Sequence, residues 1–384
     1  MLVALLLFCV YESNAQNSKD RSVVQFKKHV VSAAFVSEGA AVDDINKDGL
    51  LDIVAGHYWF EAPSWKKHLI HADTLRPVPG YSTSFLNFCT DVNNDGWPDV
   101  IRFDEPGGIC AWYENPKRAK RLWQGRTILH QAGNETPLLV DVDGDGRLDI
   151  VCNDAAAKQM IWLKSPTKTG DTTWQRFIIS RDSLRGTNRY THGLGWGDLN
   201  KDGRNDVVIK SGWWESPEKV TTEDWTFHPA AFGEDAANMY VMDVDKDGDQ
   251  DIISSSAHKY GIWWHEQVKA SDGIMQWTTH EISSLFSQSH ALMLKDINGD
   301  GEPDLVTGKR YLAHHNGSDP GSYEPAVLYW FEYVAGEKPS WIPHQIDDNS
   351  GIGNVFVVTD MNKDKRADII VSNKKGVYYF EQLR

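Results

Sequence analysis

From residue 25 onward the chain reads as short apolar runs separated by Gly-, Asn- and Asp-rich segments, with apolar and polar positions alternating rather than recurring at helical spacing. That pattern predicts strands joined by turns. The runs also recur in a fixed order. A β-run such as HALMLKD leads into an acidic nonapeptide and then into a short apolar run such as DLVTG. An aromatic strand ending in acid comes next: HYWFEAP, CAWYENP, IWLKSP, GWWESP, IWWHEQ, LYWFEY and VYYFEQ, with Lys164 replacing the acid in the third copy. Six copies continue into a fourth strand marked by Trp, a gap, often His, and then Ile: WKKHLI, WQGRTIL, WQRFII, WTFHPA, WTTHEI and WIPHQI. The seventh has none before the chain stops at Arg384, whereas QFKKHVV at residues 25–31 carries the matching pattern at the other end.

The nonapeptide D-x-[DN]-x-D-G-x-x-D begins at Asp44, Asp91, Asp141, Asp198, Asp243, Asp296 and Asp360, a spacing of 45 to 64 residues. Units of this length suit propeller blades and are too long for solenoid coils. The expected fold is therefore all-β: a seven-bladed β-propeller over residues 16–384, in which residues 25–31 close the last blade by N-to-C strand exchange. Closure of that kind covers the open edge of the last sheet.

Within each loop, positions 1, 3, 5 and 9 place oxygen ligands around one point, and the Gly at position 6 permits the tight turn. The expected ligands are Asp44, Asn46, Asp48 and Asp52; Asp91, Asn93, Asp95 and Asp99; Asp141, Asp143, Asp145 and Asp149; Asp198, Asn200, Asp202 and Asp206; Asp243, Asp245, Asp247 and Asp251; Asp296, Asn298, Asp300 and Asp304; and Asp360, Asn362, Asp364 and Asp368. An all-oxygen set selects a hard cation, and calcium suits it better than magnesium, which keeps more of its water. Strands rather than helices flank the loops, so they read as folding supports and not as sensors. The seventh departs most, with Lys365 in place of Gly and Arg366 beside it.

On these loops and the strands around them, residues 25–384 resemble the FG-GAP/VCBS repeat family, whose integrin α-subunit members also carry calcium loops between propeller strands. The segments SSSAHKYGIWWHEQ, FSQSHAL and TGKRYLAHHNGSDPG are similar to those of exported bacterial VCBS proteins that act on sugars. A looser likeness is to the propellers of rhamnogalacturonan lyases and of aldos-2-ulose dehydratases. The resemblance implies calcium and a carbohydrate partner, and leaves open whether the chain is a lyase, a glycan binder or an adhesion protein.

If the calcium loop joins the first and second strands of each unit, the starts of the first strands and the turns between second and third strands meet at the opposite face. That face would collect Tyr190, His192, His258, His290, Lys309, Arg310 and His314, the last three in the longest connection, residues 308–327. Long propeller connections are commonly functional. His192, His258, His290 and His314 are candidates for one transition-metal site, and Tyr190 or His192 for a base that removes a proton beside a carbonyl or carboxylate. Lys309 or Arg310 would stabilise the resulting enolate. Two readings follow. One is a carbohydrate lyase or dehydratase working by β-elimination; the other is a non-catalytic propeller that binds glycans or a protein with the same face. By contrast, His29, His68, His228, His280 and His344 recur at one repeat position and read as structural.

Composition narrows the partners. A net charge of -15, from 54 acidic and 39 basic residues, leaves no basic footprint for nucleic acid. Neither a P-loop nor a dinucleotide fingerprint is present. Residues 1–15, MLVALLLFCVYESNA, resemble a signal peptide with a small-residue cleavage site, so a secreted or periplasmic protein without a transmembrane segment is expected. Cys89, Cys110 and Cys152 then remain, an odd number that makes no disulfide framework.

Overall fold

The structure, a computed structural model, describes residues 24–72, 80–269, 275–336 and 338–383. The expected leader lies outside these residues. Among them there are strands and turns but no helix, and so no helix long and apolar enough to cross a membrane.

The first unit shows the repeated order. Ala40–Asp43, Asp52–Ala55, Tyr58–Glu61 and Lys66–Leu69 form a four-stranded antiparallel meander, in register through Ala40 with Ala55, Ile53 with Phe60 and Trp59 with His68. The acidic loop lies between the first and second strands. Among the described residues the strands group into five sheets, three of four strands and two of eight. The larger sheets are neighbouring units in continuity. Units two and three join through Ala132 and Asp154, while units four and five join through the parallel pairing of Gly195 and Trp196 with Met239 and Tyr240. In the seventh unit the fourth place is filled from the other end of the chain: Phe26–Ser32 pairs antiparallel with Gly376–Gln382, from Phe26 with Gln382 to Ser32 with Val377.

Second strands are buried along their whole length, as in DIVA, DVVI and DIIVSN. Both of their faces are covered, which explains why they read as unbroken apolar runs rather than alternating ones. The hydrophobic clusters lie between successive units. Ala41 and Val54 meet Val100 and Tyr113 between units one and two, and Ile53 and Phe60 meet Ile370 and Tyr379 between units one and seven. The aromatic third strands supply much of this core, with Trp112, Trp162 and Trp214 fully buried. The ends of the units are tied as well. Lys201 Nζ donates to the Gly248 carbonyl of the next loop, and Lys363 Nζ of the seventh loop donates to the Gly49 carbonyl of the first.

The recurrent histidines lie where the repeat places them. His68 stacks on Trp59 with centroids 4.1 Å apart and contacts Glu61 at 2.7 Å. His228, His280 and His344 repeat the arrangement on Trp213, Trp264 and Trp330, and His29 does so on Tyr379. The three cysteines among the described residues are free thiols, two of them buried, and burial pushes Cys110 well above the ordinary thiol range.

Candidate functional site

The acidic loops are shaped by their own side chains. In the first, Asp44 accepts hydrogen bonds from the backbone amides of Asp48 at 3.0 Å and Gly49 at 2.8 Å. Asn46 Oδ1 accepts from Asp48 N at 2.9 Å, and Asp48 Oδ1 from Leu50 N at 2.8 Å. Two positions of this loop adopt left-handed backbone, Lys47 at φ 59 and Gly49 at φ 91. The seventh loop keeps this conformation without glycine, with Lys365 at φ 68, a conformation for which a side chain makes the backbone less favourable.

Position 9 does more than its spacing suggested. Asp52 is buried, and its two carboxylate oxygens accept from different segments: Ile45 N within the loop at 3.1 Å, and Ala62 N at the end of the third strand at 2.8 Å. Asp99, Asp149, Asp206, Asp251, Asp304 and Asp368 repeat this clamp. Burial pushes the Asp52, Asp99 and Asp206 carboxyls up to about 7. A cation at the loop would favour their ionised form. The donor set fits calcium, whose oxygen ligands lie no more than about 5 Å apart. Ligand atoms of Asp243, Asp245 and Asp251 lie within 4.8 Å of one another, and so do those of Asp141, Asp143 and Asp149, although there the Lys164 ammonium already contacts Asp143 and Asp145.

At the other end of the strands the expected histidines come together. His192 precedes the first strand of unit four, His258 lies in the second-to-third turn of unit five, and His290 precedes the first strand of unit six. One ligand atom from each falls within 4.8 Å of the others, and the Nε2 atoms of His192 and His258 are 3.0 Å apart. Nitrogens sharing a tetrahedral zinc-like ion lie about 3.3 Å apart, from bond lengths of about 2.0–2.1 Å, so the set fits such an ion. His290 is 1% exposed and neither of its ring nitrogens forms a hydrogen bond. Burial lowers the His192 and His290 pKa values, which keeps both rings in the neutral form that binds metals. Left-handed residues flank these side chains: Tyr190 at φ 62, Gln288 at φ 61 and Leu312 at φ 49. Non-glycine residues held so collect at functional sites.

Carboxylates from other units orient the cluster. Glu135 Oε1 is 3.6 Å from His192 Nε2, and Asp319 Oδ2 is 3.5 Å from His258 Nδ1. Burial pushes the Glu135 carboxyl up, but His192, Arg310 and Asn354 outweigh it and hold the group below the ordinary carboxylate value. His314 stacks on His258 at 4.2 Å and contacts Asp319 through Nδ1 at 2.8 Å, with the ring partly open to solvent. Against the opposing effect of burial, the neighbouring His258 and the hydrogen-bonded His314 hold Asp319 at about 2. Tyr190 donates to Glu105 at 2.8 Å, and burial pushes its phenol up to about 12.

The cations of the long connection turn inward. Arg310 is buried, 3.2 Å from Glu38 and 3.4 Å from Glu135, with Lys374 Nζ 3.3 Å from Glu38. Lys309 is fully buried, and its Nζ donates to the Gly321 carbonyl. Arg310 thus holds Glu135, and Glu135 faces His192. Sequence reasoning had missed Glu38, Asp319 and Lys374 as members of this group. The only local signal was Asp319 in the SDPG turn of the long connection, because the others belong to units far apart in the chain.

Residues 91–152, 141–209 and 221–307, more than half of the chain, match the FG-GAP-like repeat. No curated protein sequence matches the chain. Among solved structures the chain is similar to the V. cholerae biofilm matrix protein Bap1, at 14% identity and a TM-score of 0.37. That match covers 88% of this chain and 45% of the other. It is also similar to a Thermus thermophilus protein described as a putative oxidoreductase (glucose dehydrogenase), at 12% identity and a TM-score of 0.38, over 77% of this chain and 96% of the other.

Proposed function

Because the chain belongs to the FG-GAP-like repeat family, we propose that it is an exported seven-bladed β-propeller, closed by its N-terminal strand and braced by calcium loops, which carries a three-histidine metal centre for β-elimination on a carbohydrate. The observation that carries the reading is the convergence of one ring nitrogen from each of His192, His258 and His290, the last of them buried, with Glu135 Oε2 3.9 Å from its Nε2. Strand pairing of Phe26–Ser32 with Gly376–Gln382 and the core between units seven and one support the ring.

A divalent transition ion held by the three imidazoles would supply Lewis acidity toward a carbonyl or carboxylate oxygen of the sugar. His314, oriented through Nδ1 by Asp319, fits the base that takes the proton from the carbon beside that group. The electron pair of the C–H bond forms the new double bond, and the bond to the β-oxygen breaks. Tyr190, which stays protonated up to about 12, suits the acid that protonates the departing oxygen better than the base. Glu135, held by Arg310, places a carboxylate beside His192 at the site. The substrate class is an oligosaccharide or polysaccharide bearing a uronate or a related acidic α-carbon.

A non-catalytic glycan- or protein-binding propeller is the second reading, and the inward turn of Lys309 and Arg310 favours it, since neither side chain reaches out to neutralise a substrate carboxylate. Tyr323, 75% exposed on the long connection, offers a binding surface instead. The test combines metal analysis with an ultraviolet assay for unsaturated product on uronate-containing oligosaccharides. The proposal expects one transition metal per chain that is lost in His290→Ala, and product formation lost in His290→Ala and His314→Ala with unchanged melting in calcium. Metal-free wild-type protein, or binding of the glycan without a new chromophore, would refute the enzymatic reading.

A further inference from the structure

We propose that the third acidic loop has exchanged its calcium ion for an internal cation, the Lys164 ammonium; this rests on the reading that the other loops bind calcium. Lys164 Nζ contacts Asp143 and also Asp145, at 2.6 Å, the residues at positions 3 and 5 of that loop. A cation must sit between those two carboxylates for the loop to work as a calcium site, and Lys164 already does so.

The surrounding residues have changed with it. In the other units the same strand position holds Glu61, Glu114, Glu215, Glu266, Glu332 or Glu381. Glu61 borders its loop, 3.4 Å from Asn46 Nδ2. Exchange of Glu for Lys therefore turns a charge that would favour a bound cation into one that opposes it. In five units that Glu is paired with a histidine of the fourth strand, and in unit two with Arg126. Unit three has neither acid nor histidine: Phe177 stacks on Trp162 at 4.5 Å in the histidine's place. Position 3 is Asp143 where five loops have Asn, so the ammonium has a carboxylate on each side.

Cations touch loop carboxylates elsewhere, but differently. Lys117 reaches Asp95, Arg204 reaches Asp202 and Arg366 reaches Asp364, and their side chains are 46%, 35% and 44% exposed. Each touches position 5 alone. Lys164 bridges two loop positions, is 16% exposed, and extends from the third strand rather than from a surface turn. A bridging pair that is largely withdrawn from water is harder to displace than an exposed contact.

Tightly bound calcium per chain, measured by elemental analysis after gel filtration in calcium-stripped buffer, tests this on wild type, Lys164→Glu, Lys164→Gln, Asp143→Ala and Asn298→Ala. The expected result is that Lys164→Glu and Lys164→Gln gain one ion, Asp143→Ala keeps the wild-type number, and Asn298→Ala loses one. A loss of one ion in Asp143→Ala, or no gain in either Lys164 variant while Asn298→Ala loses one, would overturn the proposal. An absence of calcium from every variant would instead bring down the calcium reading on which it rests.

Discussion

Replacing Asp304 by Asn tests whether position 9 supports the fold independently of any ion. Asp304 is fully buried and accepts from Ile297 N and Tyr333 N, each at 2.9 Å, one through each carboxylate oxygen. Asparagine has nearly the same shape but only one oxygen, so one of the two amides would face an NH2 group. A hydrogen bond to a charged group contributes about 1.5–3 kcal/mol, and a buried unsatisfied donor costs about 1–3 kcal/mol. The expected loss is thus about 3 kcal/mol or more without calcium. Asn298→Ala in the same loop removes a half-buried side chain that hydrogen-bonds only Asp300, accepting from its N and donating to its carboxylate, for about 0.5–1 kcal/mol. Urea unfolding at pH 8 in chelator, where Asp304 is ionised although burial pushes it up to about 6, should separate the two by about 2 kcal/mol. Adding calcium should stabilise wild type and widen its lead over both variants. If Asp304→Asn unfolds with wild type in chelator and falls behind only in calcium, position 9 is a ligand and not a clamp.

Two further outcomes follow from the buried groups. Arg310→Met leaves Glu38 and Glu135 without their shared guanidinium, so a loss of about 3–5 kcal/mol is expected in urea unfolding, with Arg310→Lys intermediate; a loss below about 1 kcal/mol would mean that water reaches the cluster. His265 shares hydrogen bonds with Ser254 and Thr279, and burial, with a smaller contribution from His280, lowers its pKa to about 4. Its folded pKa is below the unfolded 6.5, so its stabilisation is complete above that value and is lost as pH falls from there toward 4, by about 3 kcal/mol in all. The pH dependence of melting between 7.5 and 5 should be shallower in His265→Gln, and an unchanged slope would refute the assignment.

Much of the architecture was legible because its signals are local. The Asp-rich nonapeptides, the Trp and His of the fourth strands and the displaced QFKKHVV segment each stand on a few neighbouring residues, and the strand ladder follows them. The recurrent histidines were separable from the others for the same reason, since a side chain that reappears at one repeat position answers a need of the unit. Lys309 and Arg310 were legible as unusual but not as buried, because the partners that hold Arg310 inside, Glu38 and Glu135, come from distant segments.

By itself, then, the sequence determined the number and order of the repeated strands and the oxygen-rich turns, since alternation, glycine placement and carboxylate spacing act over one turn or one strand. Only the tertiary structure decided which of the remaining polar residues meet. His192, His258 and His290 are brought within 4.8 Å from three successive units, and Glu135 reaches His192 from a fourth. Such meetings depend on how one sheet is set against the next, which is governed by packing between units and leaves no periodic trace in the chain.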